Sequence, residues 1–160
     1  MLSVLGADVG GTKIAVGPVD PVGTQLAPPI VDLSHTEDTE SFLAGLETTL
    51  RRAMTQFADF APGAVGLACA GTVDSDRGVV VTSPNLPLRE VPLAPPLREA
   101  FGVPVVLEND ANAALLGESV AGAAQGLRHV IMLTLGTGVG GALLLDGRLY
   151  RGAGGAAGEF

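Results

Sequence analysis

Hydrophobic and polar positions change period several times along this chain, and each change predicts an element. In LSVLGADVGG and TKIAVGPVD apolar residues alternate with small or polar ones, the two-residue period of strands, and the two runs meet at a glycine pair. PVGTQ then turns the chain into a third strand, LAPPIVDLS, completing a meander. From Asp38 to about Phe60 the period lengthens. Phe42, Leu46, Leu50, Met54 and Phe57 recur at helical spacing, as on a helix that lays one face on a core, and Pro62-Gly63 ends it. AVGLACAG reads as a buried strand, GVVVTS as a short one, PLREAF as a helix, VPVVLE as another buried strand and ANAALLGESVAGAAQG as a helix. HVIMLTLGTGVGGALLLDGRLY closes the pattern as strand, glycine loop and strand, with Asp146-Gly147 suited to a tight hairpin turn. Strands and helices in alternation make this an α/β chain.

Composition narrows what such a chain can do. At 160 residues, 47% hydrophobic and 16% charged, it is globular and long enough for one ample core, or for one domain and part of another. Nine basic residues against seventeen acidic ones give a net charge of −8. The basic residues are scattered, so no patch tracks a phosphate backbone and nucleic acid is not expected as a partner. Cys69, the single cysteine, excludes an intramolecular disulfide; inside the apolar AVGLACAG it reads as a buried thiol, which fits a reducing cytoplasm. No signal peptide opens the chain and no apolar run is long enough to span a bilayer, so no membrane association is expected.

Val-Gly-Gly occurs twice between apolar strands, at Val9-Gly10-Gly11 and at Val139-Gly140-Gly141, and predicts two copies of one hairpin. Glycines at such bends let the backbone approach a ligand, and N–H groups there bind phosphate oxygens, so two facing hairpins would make a phosphate clamp. Neither loop fits the better-known nucleotide motifs. GADVGGTK has the glycine spacing of a P-loop but continues through Thr12-Lys13 into a strand, where that motif needs Lys and then Ser or Thr opening a helix. Gly136, Gly138 and Gly141 match the dinucleotide fingerprint in spacing, yet ALLLDGRLY alternates as a strand where the fingerprint leads into a helix.

Three stretches carry a resemblance. DVGGTK at 8–13, ENDANAALLGE at 108–118 and LTLGTGVGGALLLDG at 133–147, followed by GAAGEF, resemble the ROK family of sugar kinases, especially its bacterial glucokinases. The resemblance spans essentially the whole chain. It implies an actin-like, RNase-H-like α/β ATPase fold, a mixed sheet flanked by helices plus the start of a second lobe, with ATP and a hexose meeting in the cleft between lobes. On this reading residues 1–118 form the N-terminal sugar- and phosphate-binding lobe. Residues 119–160 form the linking helix and first hairpin of the second, nucleotide-binding lobe. The family pattern continues after Gly-Glu-Phe with Gly-His, a cysteine and histidine cluster for structural Zn²⁺, and the adenosine pocket. Zinc is therefore expected only beyond this chain, and the 160 residues alone are expected to lack kinase activity and to self-associate through unpaired apolar edges.

LENDAN carries the chemistry. Carboxyl ends of strands in open α/β sheets face the ligand crevice, so Asp110, just past VPVVLE and opening a helix, stands where a substrate would lie; the other reading is a helix N-cap. Transfer to a sugar hydroxyl needs a base for the hydroxyl proton, and Asp110 is the candidate. Asn109 offers donor and acceptor to neighbouring hydroxyls or, alternatively, serves as a turn residue. Glu108 and Asn112 support the local turn. By family likeness Asn85, Glu159 and the backbone near Gly71 also touch the sugar. On the nucleotide side Asp8 is expected to hold the hydration shell of Mg²⁺, an ion that takes few carboxylates, although it also reads as a surface aspartate. Gly10, Gly11 and Thr12 face the transferred phosphate, and Gly136, Thr137 and Gly138 the outer phosphates. Lys13, the single lysine, reads equally as a phosphate partner or a solvent-facing strand residue, and His35 and His129 as solvated side chains.

The reading that results is ATP-dependent phosphorylation of a hexose, glucose to glucose 6-phosphate, by a cytoplasmic enzyme that is a homodimer at full length, with ATP and Mg²⁺ as cofactors. N-acetylhexosamine and fructose remain alternative substrates, since Ala70 and Thr72 stand where relatives often carry prolines and NLPLREV lacks the usual aromatic. Two other classes compete: an inactive sugar-binding fragment, and a ROK-type transcription repressor, for which Asp8 lies too close to Met1 to leave room for a helix-turn-helix.

Overall fold

The computed structural model describes residues 3–135 and 139–158 of the chain. Strands β1 (Ser3–Val9), β2 (Lys13–Val19) and β3 (Ile30–Leu33) form the antiparallel meander that the alternation predicts. Helix α1 (Thr39–Gln56) follows, capped by the Asp38 side chain, which accepts from the Ser41 N–H at 2.7 Å. β4 (Pro62–Cys69) then lies parallel to β1. Three short strands come next, β5 (Thr72–Asp74), β6 (Val79–Thr82) and β7 (Arg89–Pro92), paired antiparallel in a small sheet of their own. Helix α2 (Ala94–Phe101) is closed by Gly102 in the left-handed region and returns the chain to β8 (Val105–Asn109), parallel to β4. Helix α3 (Asp110–Ala121) leads to β9 (Val130–Leu135), β10 (Val139–Leu145) and β11 (Arg148–Leu149). The main sheet has five strands in the order β3-β2-β1-β4-β8, and the last three strands make a separate sheet.

The period of two sorts residue size across the main sheet. Leu5, Ala7 and Val9 of β1, Ile14 and Val16 of β2, Val65, Leu67 and Cys69 of β4 and Val105 and Leu107 of β8 are all buried, and join the stripe of α1 formed by Phe42, Leu46, Leu50 and Ala53. Each large side chain buried in this way is worth about 1.5–3 kcal/mol. The other face carries Gly6 and Asp8, Ala15 and Gly17, Gly66 and Ala68, Val106 and Glu108, mostly small residues that leave a groove. A smaller buried cluster joins Ala111 and Leu115 of α3 to Ala124, Ala142 and Leu144. On the far side of the last sheet Ile131, Leu133 and Leu135 are exposed.

Several boundaries differ from the sequence reading. α1 stops at Gln56, because the apolar spacing runs on through a 3₁₀ turn at Ala58–Phe60, where the Phe57 and Phe60 rings meet, and Ala61 at φ 48° takes the chain out. α3 ends at Ala121 rather than running to Gly126, since Gly122 is extended and its N–H closes onto the Glu118 carbonyl. β5 and β7 were not expected as strands, being short and rich in charge. Asp146 and Gly147 have positive φ, 53° and 75°, as the predicted tight hairpin turn between β10 and β11 requires.

The two Val-Gly-Gly copies take different places in their hairpins. In the first, Val9 is the last residue of β1 and pairs with Ile14, so the glycines make the turn. In the second, Val139 pairs with Leu135 and begins β10, so the glycines lie in the returning strand. The repeated letters mark two hairpins, but at opposite ends of their turns.

Candidate active site

Strand register builds the site from one row of residues. Asp8 of β1 is level with Ala68 of β4, and Ala68 with Glu108 of β8. Two strand spacings, about 10 Å, separate the outer carboxylates on the groove face. The groove is a cleft of about 640 Å³, walled on one side by the sheet and on the other by Ala113, Ala114 and Leu116 of α3. Asp8 and Asp110 both line it. Desolvation, and then the Asp110 carboxylate, raise Asp8 from its ordinary value, with Lys13 pulling the other way. On the buried face, level with Val9 and Asn109, the Cys69 thiol is pushed up to about 12 by burial first and by Asp110 and Asp8 after it. It is a protonated core thiol, not a nucleophile.

At the β8–α3 junction the cap is Asn109, not Asp110. The Asn109 Oδ1 accepts from the Asn112 N–H at 3.0 Å, and Nδ2 donates to the Gly71 carbonyl at 3.0 Å, so the amide expected to read sugar hydroxyls also fixes the first turn of α3. With Asn109 as the cap, Asp110 is the first helical residue; its exposed carboxylate accepts from the Ala111 N–H at 2.9 Å and lines the cleft. Glu108, only 9% exposed, accepts from the Asn109 N–H and from Asn112 Nδ2, each at 3.1 Å, and its other oxygen takes a fork from Arg151, Nε at 2.8 Å and Nη2 at 2.5 Å.

Gly71 and Asn85 join this junction to the turn at 10–13. Gly71 has φ 114° and lies so close to the Thr82 carbonyl and Ser83 that no side chain fits. Two residues on, the Asn85 carbonyl stands against Gly11, where an added Cβ would come within 2.7 Å. The Gly10 N–H, expected to face phosphate, instead donates to the Lys13 carbonyl at 3.0 Å and closes the turn. The N–H groups of Gly11 and Thr12 make no hydrogen bond among the described residues. Ser34 braces the turn from the end of β3, its N–H donating to the Thr12 carbonyl at 3.0 Å and its hydroxyl to the Gly10 carbonyl at 2.6 Å.

The structure thus gathers Asp8, Gly10, Gly11, Thr12, Gly71, Asn85, Asn109 and Asp110 around one end of the main sheet. Gly136, Thr137, Gly138 and Glu159 lie outside the described residues. The sequence reading missed Arg151 and Ser34. A carboxylate closing the apolar run VPVVLE was the one signal that a cation had to come from elsewhere; nothing in the sequence pointed to Ser34. Among the described residues no helix is long and apolar enough to cross a membrane.

A mixed sheet in this order, with helices on its buried face and a groove of small residues on the other, makes the chain half of an actin-like ATPase fold. The ROK family pattern matches residues 4–160, and the chain belongs to that family. Its relatives include a glucokinase of Streptomyces coelicolor, 40% identical over 98% of this chain and 48% of that protein. An N-acetylgalactosamine kinase of Shewanella is 38% identical over 97% of this chain and 49% of that protein, and a xylose repressor of Caldicellulosiruptor bescii is 30% identical over 98% and 40%. The crystal structure of a ROK family glucokinase from Streptomyces griseus, in complex with glucose and AMPPNP, superposes with a TM-score of 0.88 at 39% identity, over 99% of this chain and 49% of that one. The chain spans about half the length of the curated relatives it matches.

Proposed function

We propose that the protein carrying this chain transfers the terminal phosphoryl group of ATP to a hexose, glucose at its 6-hydroxyl, with Asp110 as the base. The observation that carries this reading is that Asp110 and Asp8 line one cleft, where Asp8 feels the charge of Asp110, next to a turn with unengaged N–H groups. The glucose and AMPPNP held by the Streptomyces griseus relative support the choice of substrates.

The residues fit a magnesium–nucleotide complex, because an acidic cleft flanked by unengaged N–H groups suits a cation bound to phosphate. When bound, ATP supplies the phosphoryl group and Mg²⁺ offsets its charge. Asp8 would hold that ion through water, since Mg²⁺ keeps several waters and takes few carboxylates. The Gly11 and Thr12 N–H groups would orient the transferred phosphate while Gly10 closes their turn, and the family likeness gives the outer phosphates to Gly136, Thr137 and Gly138. Asn109, Asn85, Glu159 and the Gly71 backbone hold the sugar, while Asp110 accepts the proton of the attacking hydroxyl.

The Shewanella relative favours an N-acetylhexosamine as the second reading, and a hexose panel with ATP and Mg²⁺ ranks the two by kcat/KM. Asp110→Asn in the whole protein tests the mechanism. It removes the base but keeps the shape, so kcat falls by roughly 10²–10⁴-fold while the calorimetric Kd for the sugar stays within about threefold. A variant that keeps a tenth of the wild-type rate removes Asp110 from the chemistry.

A further inference from the structure

We propose that the Glu108–Arg151 pair is a positioning device that docks the glycine-rich segment 151–158 onto the β8–α3 junction, so that the two walls of the sugar side assemble together. What the assembled cleft does rests on the phosphotransfer reading above; that the pair docks the segment does not.

Glu108 divides its oxygens between two parts of the chain. Oε1 serves the junction, through the Asn109 N–H and Asn112 Nδ2, and Oε2 receives the Arg151 fork. A carboxylate this buried needs both its charge and its lone pairs answered, and a guanidinium fork also fixes the direction from which the answer comes. Arg151 is well placed to impose that direction, because it follows β11 and opens the segment.

The segment has little else to hold it. Every residue from 152 to 158 is glycine or alanine, so no large side chain can anchor it by burial. Among the described residues its other contacts are backbone approaches. The Ala157 N–H donates to the Arg151 carbonyl at 3.1 Å. Gly155, at φ 77°, lies against the Val73 carbonyl of β5, and Gly158, at φ 93°, lies against the Gly141 carbonyl of β10, where added Cβ atoms would come within 2.5 and 2.8 Å. Close approach of this kind tells a segment where it can fit, whereas the ion pair draws it there. Glu159, next in sequence, is the residue the family likeness assigns to the sugar, and Asn109 and Asp110 directly follow Glu108. One buried carboxylate therefore ties the segment that leads towards Glu159 to the junction that carries Asn109 and Asp110.

Arg151→Met and Arg151→Lys in the whole protein test this. Amide hydrogen exchange across 151–158, read by mass spectrometry, should quicken by roughly tenfold or more in Arg151→Met, whether or not any sugar is turned over. KM for the hexose should rise roughly tenfold or more while KM for ATP stays within about twofold, since only the sugar wall is displaced. Arg151→Lys keeps the charge beside Glu108 but not the fork; it should melt close to wild type yet keep most of the sugar defect, and it supplies the same readouts should the methionine variant not fold. Adding Glu108→Gln to Arg151→Met should cost little more than Arg151→Met alone, as expected of one unit. Unchanged exchange at 151–158 in both variants overturns the proposal, as does an equal rise in both KM values. A wild-type protein that phosphorylates no hexose would defeat the functional reading alone and leave the exchange result to decide the positioning role.

Discussion

The β1–β2 and β9–β10 hairpins share the letters Val-Gly-Gly and use them for different ends. At the first, Gly10 and Gly11 form the turn, and Gly11 presses on the Asn85 carbonyl; at the second, Gly140 and Gly141 stand inside β10. None of the four has positive φ among the described backbone angles, so neither pair is there for a left-handed bend. Both pairs supply room. What differs is the neighbour that uses it. Beside Gly11 it is the backbone of the Asn85 loop, which cannot turn aside, and beside Gly140 it is the Thr134 hydroxyl, which can rotate away. Near Gly141 the space is left by Gly158 instead, whose own lack of a side chain lets it lie against the Gly141 carbonyl. A glycine's role in this fold is thus decided by its contact across space, and two identical stretches can carry unequal constraints.

Adding one methyl at each hairpin puts that inequality to the test. Gly11→Ala drives a Cβ to within 2.7 Å of the Asn85 carbonyl, so the turn at 10–13 or the Asn85 loop must move. The expected loss is about 1–3 kcal/mol of stability, with kcat/KM lowered by roughly tenfold or more, measured by denaturant melts and steady-state rates on the whole protein.

Charge separates the hairpins as well, since β9 and β10 carry no ionisable side chain while β1 carries Asp8. The fold holds the Asp8 proton more tightly than the unfolded chain does, because burial and then Asp110 raise its carboxyl above 3.8. A carboxyl raised in the native state costs stability once pH climbs past its unfolded value. Asp8→Asn should therefore raise the ligand-free Tm at pH 7 while removing activity, and the gain should fade as pH falls through the raised native value and be gone below about 3.8. A Tm that falls at pH 7 would show Asp8 to be a structural residue.

Gly140→Ala should do least. Among the described residues its Cβ meets the Thr134 Oγ1 alone, at 2.7 Å, and a χ1 rotation relieves the clash. The reduced freedom of the unfolded chain offsets the cost, so the net change should stay within about 1 kcal/mol, with rates close to wild type. If Gly140→Ala proved as damaging as Gly11→Ala, the distinction between the two hairpins would fail.

The same contrast explains what was legible in the sequence. The meander, α1, β4, β8 and both hairpins follow from spacing alone, because period two or period 3.6 is imposed by the one face that each element buries. Asp110 and Asn109 stood out because a polar run interrupts two apolar ones. The exchange of the capping role was hidden: Asn and Asp both cap well, and only the Asn109 contact with the Asn112 N–H decides between them. The Gly10 N–H was misjudged because its bond runs to Lys13 within the same turn. Glu108 and Arg151 are 43 residues apart, and no periodicity links them. The short sheet of β5, β6 and β7 was only partly visible, since TVD and REVP are too brief and too charged to show a pattern.

Whether this cleft phosphorylates a sugar is settled most directly by the product. Whole protein incubated with ATP, Mg²⁺ and glucose, followed by ³¹P NMR, should give glucose 6-phosphate and ADP in equal amounts, with ATP untouched when glucose is left out. Saturating glucose that yields no sugar phosphate, or ATP consumed at the same rate without any sugar, would contradict the account.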